Sequence, residues 1–189
     1  MKGAALFVVG LVCGLLFMAI PKVGAHVRTL LHAMHHGASA GARTHTDENF
    51  TFVAHAPIEQ VAPLFAADKE RVWAPHWNPQ FIYPTTAADQ PGMVFAVAHD
   101  HLQSVWVNTD LDLKNGRIQY VYMIPDALVT VITLRLTPQD NRTQVDVKYE
   151  RTALSAEADA HVRHMAEGDR NAGPDWEKQV NGYLQTAKQ

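Results

Sequence analysis

The residues best equipped for chemistry are few and scattered. His32 and His36 stand four apart in a helical stretch, which puts both imidazoles on one face at a spacing that can hold a metal ion. No carboxylate partner accompanies them, so the expectation is an interfacial helix with a histidine-rich polar face and no metal. His99 and His101 flank Asp100 and would share one strand face, a start on acid–base chemistry without a full site. His161 and His164 lie three apart near Glu157 and Asp159 and read as a solvated helix face. Gly-x-Ser-x-Gly, His-Glu-x-x-His and phosphate-binding glycine loops are all missing. Cys13 is the one cysteine, which excludes an intramolecular disulfide and every multi-cysteine zinc or iron–sulfur site. The remaining equipment is aromatic. Tyr83, Tyr120, Tyr122 and Tyr149 each combine flat apolar area with one hydroxyl, and Trp73, His76 and Trp77 stand close together in the chain.

Elements that could position these groups begin at Asn49. Phe50, Phe52 and Ala54 alternate in a strand predicted over 49–56, and Pro57 suits the first turn of a helix carrying Ile58, Val61, Leu64 and Phe65. A second short helical piece holds Val72 and Trp73. Strands follow over 79–84, 92–99, 103–112, 116–124, 127–137 and 143–152, separated by breaks such as Gln90-Pro91-Gly92 and Lys114-Asn115-Gly116. Short links between six strands imply an antiparallel meander. Alternation assigns Phe95, Val97, Val105, Val107, Leu111, Ile118, Tyr120, Tyr122, Ile132, Leu134, Val145, Val147 and Tyr149 to one face, and Asn108, Asp110, Arg117, Lys148 and Glu150 to the other. The apolar face needs a cover. Residues 155–187 supply one, helical in pattern with a break at Gly173-Pro174 and a stripe of Trp176, Val180, Tyr183, Leu184 and Ala187.

The first quarter of the chain is of a different kind. Residues 1–48 carry a net +2 and the remainder −5. Ala4 to Ile20 hold no charge, a stretch long for a signal sequence and just short of a comfortable membrane span. Val23-Gly24-Ala25 offers a cleavage point. Residues 1–25 are therefore expected to be a membrane anchor or signal peptide, 26–48 a His-rich amphipathic segment and linker, and 49–189 the folded domain. The chain would be membrane-anchored or exported, with a bacterial periplasm or envelope compatible with the absent disulfides. An overall charge of −3 leaves no basic surplus for phosphates, so no nucleic-acid partner is expected.

The order strand, two short helices, six antiparallel strands and a long last helix resembles the START-like helix-grip superfamily, also called SRPBCC, which includes polyketide cyclases. The resemblance covers about residues 49–187. It is carried by Ala56-Pro57-Ile58-Glu59-Gln60-Val61, the Trp73 and Trp77 pair, Gly92-Met93-Val94-Phe95, Asn141-Arg142-Thr143-Gln144-Val145 and Thr152-Ala153-Leu154-Ser155. It implies an α+β fold: a curved antiparallel sheet of about seven strands gripping the C-terminal helix, with a ligand cavity between them. The interior would be apolar with polar points at Tyr83, His99, Thr109, Tyr120, Tyr122, Thr130 and Tyr149. Trp73, His76 and Trp77 would sit near the entrance, and Phe95, Trp176 and Val180 would form apolar wall. Such a pocket suits a small hydrophobic or amphipathic, lipid-like ligand, and no cofactor is expected. The favoured expectation is a binding module. A cyclase-like enzyme using Tyr120, Tyr122 or His99, and an interaction domain with a collapsed cavity, are the alternatives.

Overall fold

The computed structural model describes residues 41–99 and 102–187. The apolar segment, His32 and His36 lie outside the described residues, as do Asp100, His101 and the side chain of His99. Seven strands form one antiparallel sheet: β1 (His45–Ala54), β2 (Gln80–Tyr83), β3 (Val94–His99), β4 (Leu102–Asp112), β5 (Arg117–Ile124), β6 (Leu128–Gln139) and β7 (Arg142–Ala153). The spatial order is β1-β7-β6-β5-β4-β3-β2, so β2 through β7 are a meander and β1 closes onto the last strand. Three helices complete the domain: a single turn, α1 (Ile58–Val61), then α2 (Asp159–Arg170) and α3 (Gly173–Thr186) near the end of the chain. The fold is the curved sheet and C-terminal helical grip expected from the sequence.

One boundary differs instructively. β1 starts at His45, four residues before the apolar alternation begins, because His45 to Glu48 pair with Tyr149 to Thr152 of β7. That part of the strand is polar, so hydrophobic period could not reveal it. The break expected at Gly173-Pro174 is present: α2 ends at Arg170 and α3 opens at Gly173, with Pro174 in its first turn. There its missing N–H costs nothing, since first-turn amides have no intrahelical acceptor.

One strand contradicts the facing assignment. Val105 and Val107 were expected inside and Asn108 outside, but β4 buries Ser104, Trp106 and Asn108. The Trp106 indole removes far more apolar area from water than either valine, and it sets the phase of the strand's first half. A register shift between Asn108 and Asp110 then resets the phase, so that Leu111 packs against the core as assigned. Thr109, expected as an interior polar point, falls at that irregularity. It is exposed, and its hydroxyl donates to Gln119 Oε1 at 2.8 Å.

The grip itself is polar as well as apolar. Asn181 on α3 is buried against β1, where its Oδ1 accepts from the His55 amide at 2.7 Å and its Nδ2 donates to the Val53 carbonyl at 2.9 Å. Between β4 and β5, Gly116 closes the 3-10 turn Leu113–Asn115 with φ +64°, and a Cβ there would lie 2.3 Å from the Leu136 carbonyl oxygen. Gly116→Ala is therefore expected to cost about 2 kcal/mol, from left-handed backbone strain plus a backbone clash. Thermal melts would show it as a drop of several degrees; an unchanged melting temperature would contradict the close approach.

Candidate functional site

The segment from His55 to Pro79 covers the open end of the sheet, and its short turns leave carbonyl groups that no helix can satisfy. Side chains do so instead. The Trp73 indole N–H donates to the Leu64 carbonyl at 2.7 Å, and that of Trp77 to the Ala67 carbonyl at 2.6 Å. The Tyr120 hydroxyl reaches up from β5 to the Phe65 carbonyl at 3.1 Å. Arg71 fastens the end of this cover to Asp68, Asn78 and Pro79.

Two aromatic clusters pack beneath it. Trp176 of α3 is surrounded by Phe50, Phe52, Phe65 and Trp73, with ring centroids 5.2 to 6.2 Å away. Trp106 stacks on Tyr122 at 4.3 Å and on Phe95 at 5.6 Å, with the edge of Trp77 at 5.3 Å. Between the clusters lies a small cavity lined by Glu70, Trp106, Tyr120, Ile132, Leu134, Tyr149 and Trp176. Its volume is about 10 Å³, room for roughly one water molecule.

Glu70 is the unexpected member of this set. It belongs to the 3-10 turn Lys69–Val72, yet it is buried and faces the aromatic interior while its neighbours Lys69 and Arg71 point outward. No hydrogen bond to its carboxyl is found among the described residues. Burial alone pushes its pKa well above the usual carboxylate range, because the charged form has lost its water and gained no partner. The Tyr120 hydroxyl is likewise raised, first by burial and then by the Glu70 carboxyl beside it, so the phenol stays protonated. Asn108 lies opposite Tyr120 in the strand register, fully buried, with its side chain beside the Tyr120 hydroxyl. The Trp176 indole N–H is also buried without an acceptor.

A second polar group crosses the interior nearby. Arg151 of β7 is 2% exposed and fully engaged. Its Nε and Nη2 donate to the two carboxylate oxygens of Asp169 on α2 at 2.6 and 2.7 Å. Its Nη1 donates to the Tyr122 hydroxyl and, at 2.9 Å, to Thr130 Oγ1. The guanidinium also lies 4.6 Å from the centre of the Tyr149 ring.

The expected site residues thus separate into groups. Tyr120, Tyr149 and Trp176 line the cavity. Trp73, Trp77, Phe95 and Val180 are buried in the core around it. Tyr122 and Thr130 are buried too, but they serve Arg151. His76 and Tyr83 do not reach the interior. His76 is exposed at φ +66°, in a turn that carries it away from its tryptophan neighbours. Tyr83 is 62% exposed at the end of edge strand β2, just past a register shift that leaves Phe81 as that strand's inward residue.

Glu70, Trp106, Asn108 and Arg151 were not among the candidates. Asp68-Lys69-Glu70-Arg71 are four charged residues in succession with no period to mark one of them, and the tertiary fold turns Glu70 inward. Arg151 did carry a signal, since it holds the next inward position after Val145, Val147 and Tyr149.

No protein-family profile matches the sequence, and no curated protein matches it either. Solved structures do resemble it. Norcoclaurine synthase from Thalictrum flavum superposes with a TM-score of 0.58 over 80% of this chain and 94% of its own, at 9% identity. The Zhui aromatase/cyclase from Streptomyces sp. R1128 gives 0.54 over 77% and 94%, at 17% identity. Ara h 8.0201 gives 0.53 over 76% and 99%, at 11% identity. At such identities the likeness is one of fold, and function has to be argued from the site.

Proposed function

This chain has the START-like helix-grip fold, and we propose that it serves as a binding module for a small amphipathic ligand held between the sheet and α3. One observation carries the reading. Two buried polar groups line the cavity where a purely structural core would place hydrocarbon: the Glu70 carboxyl, with no hydrogen bond among the described residues, and the Trp176 N–H, without an acceptor. Each such group costs roughly 1 to 3 kcal/mol unless something bonds to it. A ligand with an apolar body and one or two polar atoms would recover that cost against the aromatic walls.

The void of about 10 Å³ is far smaller than such a ligand. Entry therefore requires the cover over residues 55–79 to move. It is built from one α-helical turn and short 3-10 turns rather than long helix or strand, so few backbone hydrogen bonds would have to break together. The small void also favours a second reading, an interaction domain with a collapsed interior.

Mass spectrometry of the purified full chain separates the two. A reproducible excess mass under native conditions, lost on denaturation, would establish the binding module and identify the ligand class. No excess mass and no uptake of an apolar fluorescent probe would leave the interaction domain.

We propose further that residues 1–25 hold this module at a membrane or export it. The support is the uncharged run Ala4 to Ile20. Among the described residues no helix is long and apolar enough to cross a membrane. Fractionation of the full chain against one lacking residues 1–25 tests the proposal. Recovery of both, uncleaved, in the cytosolic fraction would end it.

A further inference from the structure

We propose that the cavity beneath the cover selects an organic ammonium ion, with the Glu70 carboxylate as its counter-charge and the surrounding rings as its cage. The inference rests on the binding reading above and specifies its ligand. The lining comprises four aromatic side chains, two aliphatic ones and one carboxyl, with no lysine, arginine or histidine. An anionic head group would enter with no cation to meet it and a carboxyl against it. The one buried guanidinium near the site, Arg151, is committed to Asp169, Tyr122 and Thr130. A protonated amine reverses this balance. It brings N–H donors to a carboxyl that has no hydrogen bond among the described residues, and its charge is attracted to the aromatic lining. An acceptor atom on the same ligand, or a retained water, would serve the Trp176 N–H.

Binding would be coupled to a proton. In the empty cavity burial favours the protonated form of Glu70, for want of any compensating charge. An ammonium ion entering beside it stabilises the carboxylate, and the carboxyl proton leaves to solvent. The other titratable groups facing this carboxyl are the Tyr120 phenol on β5, which burial keeps protonated, and the Tyr149 phenol on β7. Asp89, in the loop before β3, is close enough to act on Tyr120, and it too is raised by burial.

Three probes with one body and different heads test the proposal on the full chain: 1-naphthylmethylamine, 1-naphthylmethanol and 1-naphthoate, titrated by fluorescence. The amine should bind at least tenfold more tightly than the alcohol, and the naphthoate most weakly. Calorimetry of the amine in phosphate and in Tris should report net proton release. Glu70→Gln should abolish the preference for the amine over the alcohol. If the alcohol or the naphthoate binds wild type as tightly as the amine, the ammonium assignment is overturned and the binding module stands. If none of the three binds and no excess mass is found, both readings fall. The wild-type series decides the matter even if the Glu70 variant does not fold.

Discussion

Glu70→Gln is expected to make the protein more stable at neutral and alkaline pH, by roughly 2 kcal/mol, although it alters the candidate site. The sign follows from the direction of the Glu70 shift. Its carboxyl is raised by burial in the folded chain and titrates near 4.5 when unfolded. Below that value both states are protonated, and glutamine and glutamic acid are nearly equivalent. As pH rises, the unfolded carboxylate ionises and is hydrated while the buried one cannot follow, so wild-type stability falls until the folded pKa is passed. Glutamine cannot ionise and escapes this slope. Denaturant titrations at pH 4, 6 and 8 should therefore show the two proteins converging at the acid end and separating as pH rises. A gap that stays constant with pH would mean that the folded carboxyl titrates normally, and the uncompensated-burial argument would fail with it. A gain in stability on neutralising a buried carboxyl is also what marks a functional site, where a group is retained at a cost to the fold.

Asp169→Asn is expected to be the most damaging single change among polar residues, costing about 4 kcal/mol and lowering the melting temperature by roughly 10 °C. The Asp169 carboxylate meets both Nε and Nη2 of Arg151, and the two side chains are only 12% and 3% exposed. Asparagine keeps one acceptor but removes the charge, which leaves a guanidinium in the interior with two hydroxyl acceptors and no counter-ion. The bridge also joins β7 to α2, so its loss loosens the helix that leads into α3. Arg151→Met combined with Asp169→Leu should be less destabilising than Asp169→Asn alone, because it removes both charges rather than stranding one. Equal or greater damage in the double variant would show that the pair stabilises the fold outright. A loss below about 1 kcal/mol for Asp169→Asn would mark the bridge as a bystander.

The order and number of the elements were legible in the chain because each strand and helix carries its own period. β5 shows this plainly: Ile118, Tyr120 and Tyr122 alternate with Arg117 and Gln119, and any register that buried the second set would expose the first. The breaks at Gln90-Pro91-Gly92 and Gly173-Pro174 were legible for the same local reason, since proline and glycine restrict or free the backbone wherever they stand. Local pattern also placed Tyr120, Tyr149 and Trp176 on inward faces, and all three line the cavity.

What period alone could not decide was decided by packing. The phase of β4 turned on one indole competing with two valines, and on a bulge that exists only against β5. The polar half of β1 is a strand only because β7 offers it a ladder. Glu70 is buried because the cover folds back over the sheet and presents to the interior whichever side of a single 3-10 turn faces down. No periodicity exists within four residues to announce that side. The chain by itself therefore determined the helix-grip scaffold and the apolar character of its interior. Only the tertiary structure decided that a carboxyl would stand in it, because burying a charge is never locally favourable and comes about when the rest of the fold outweighs its cost.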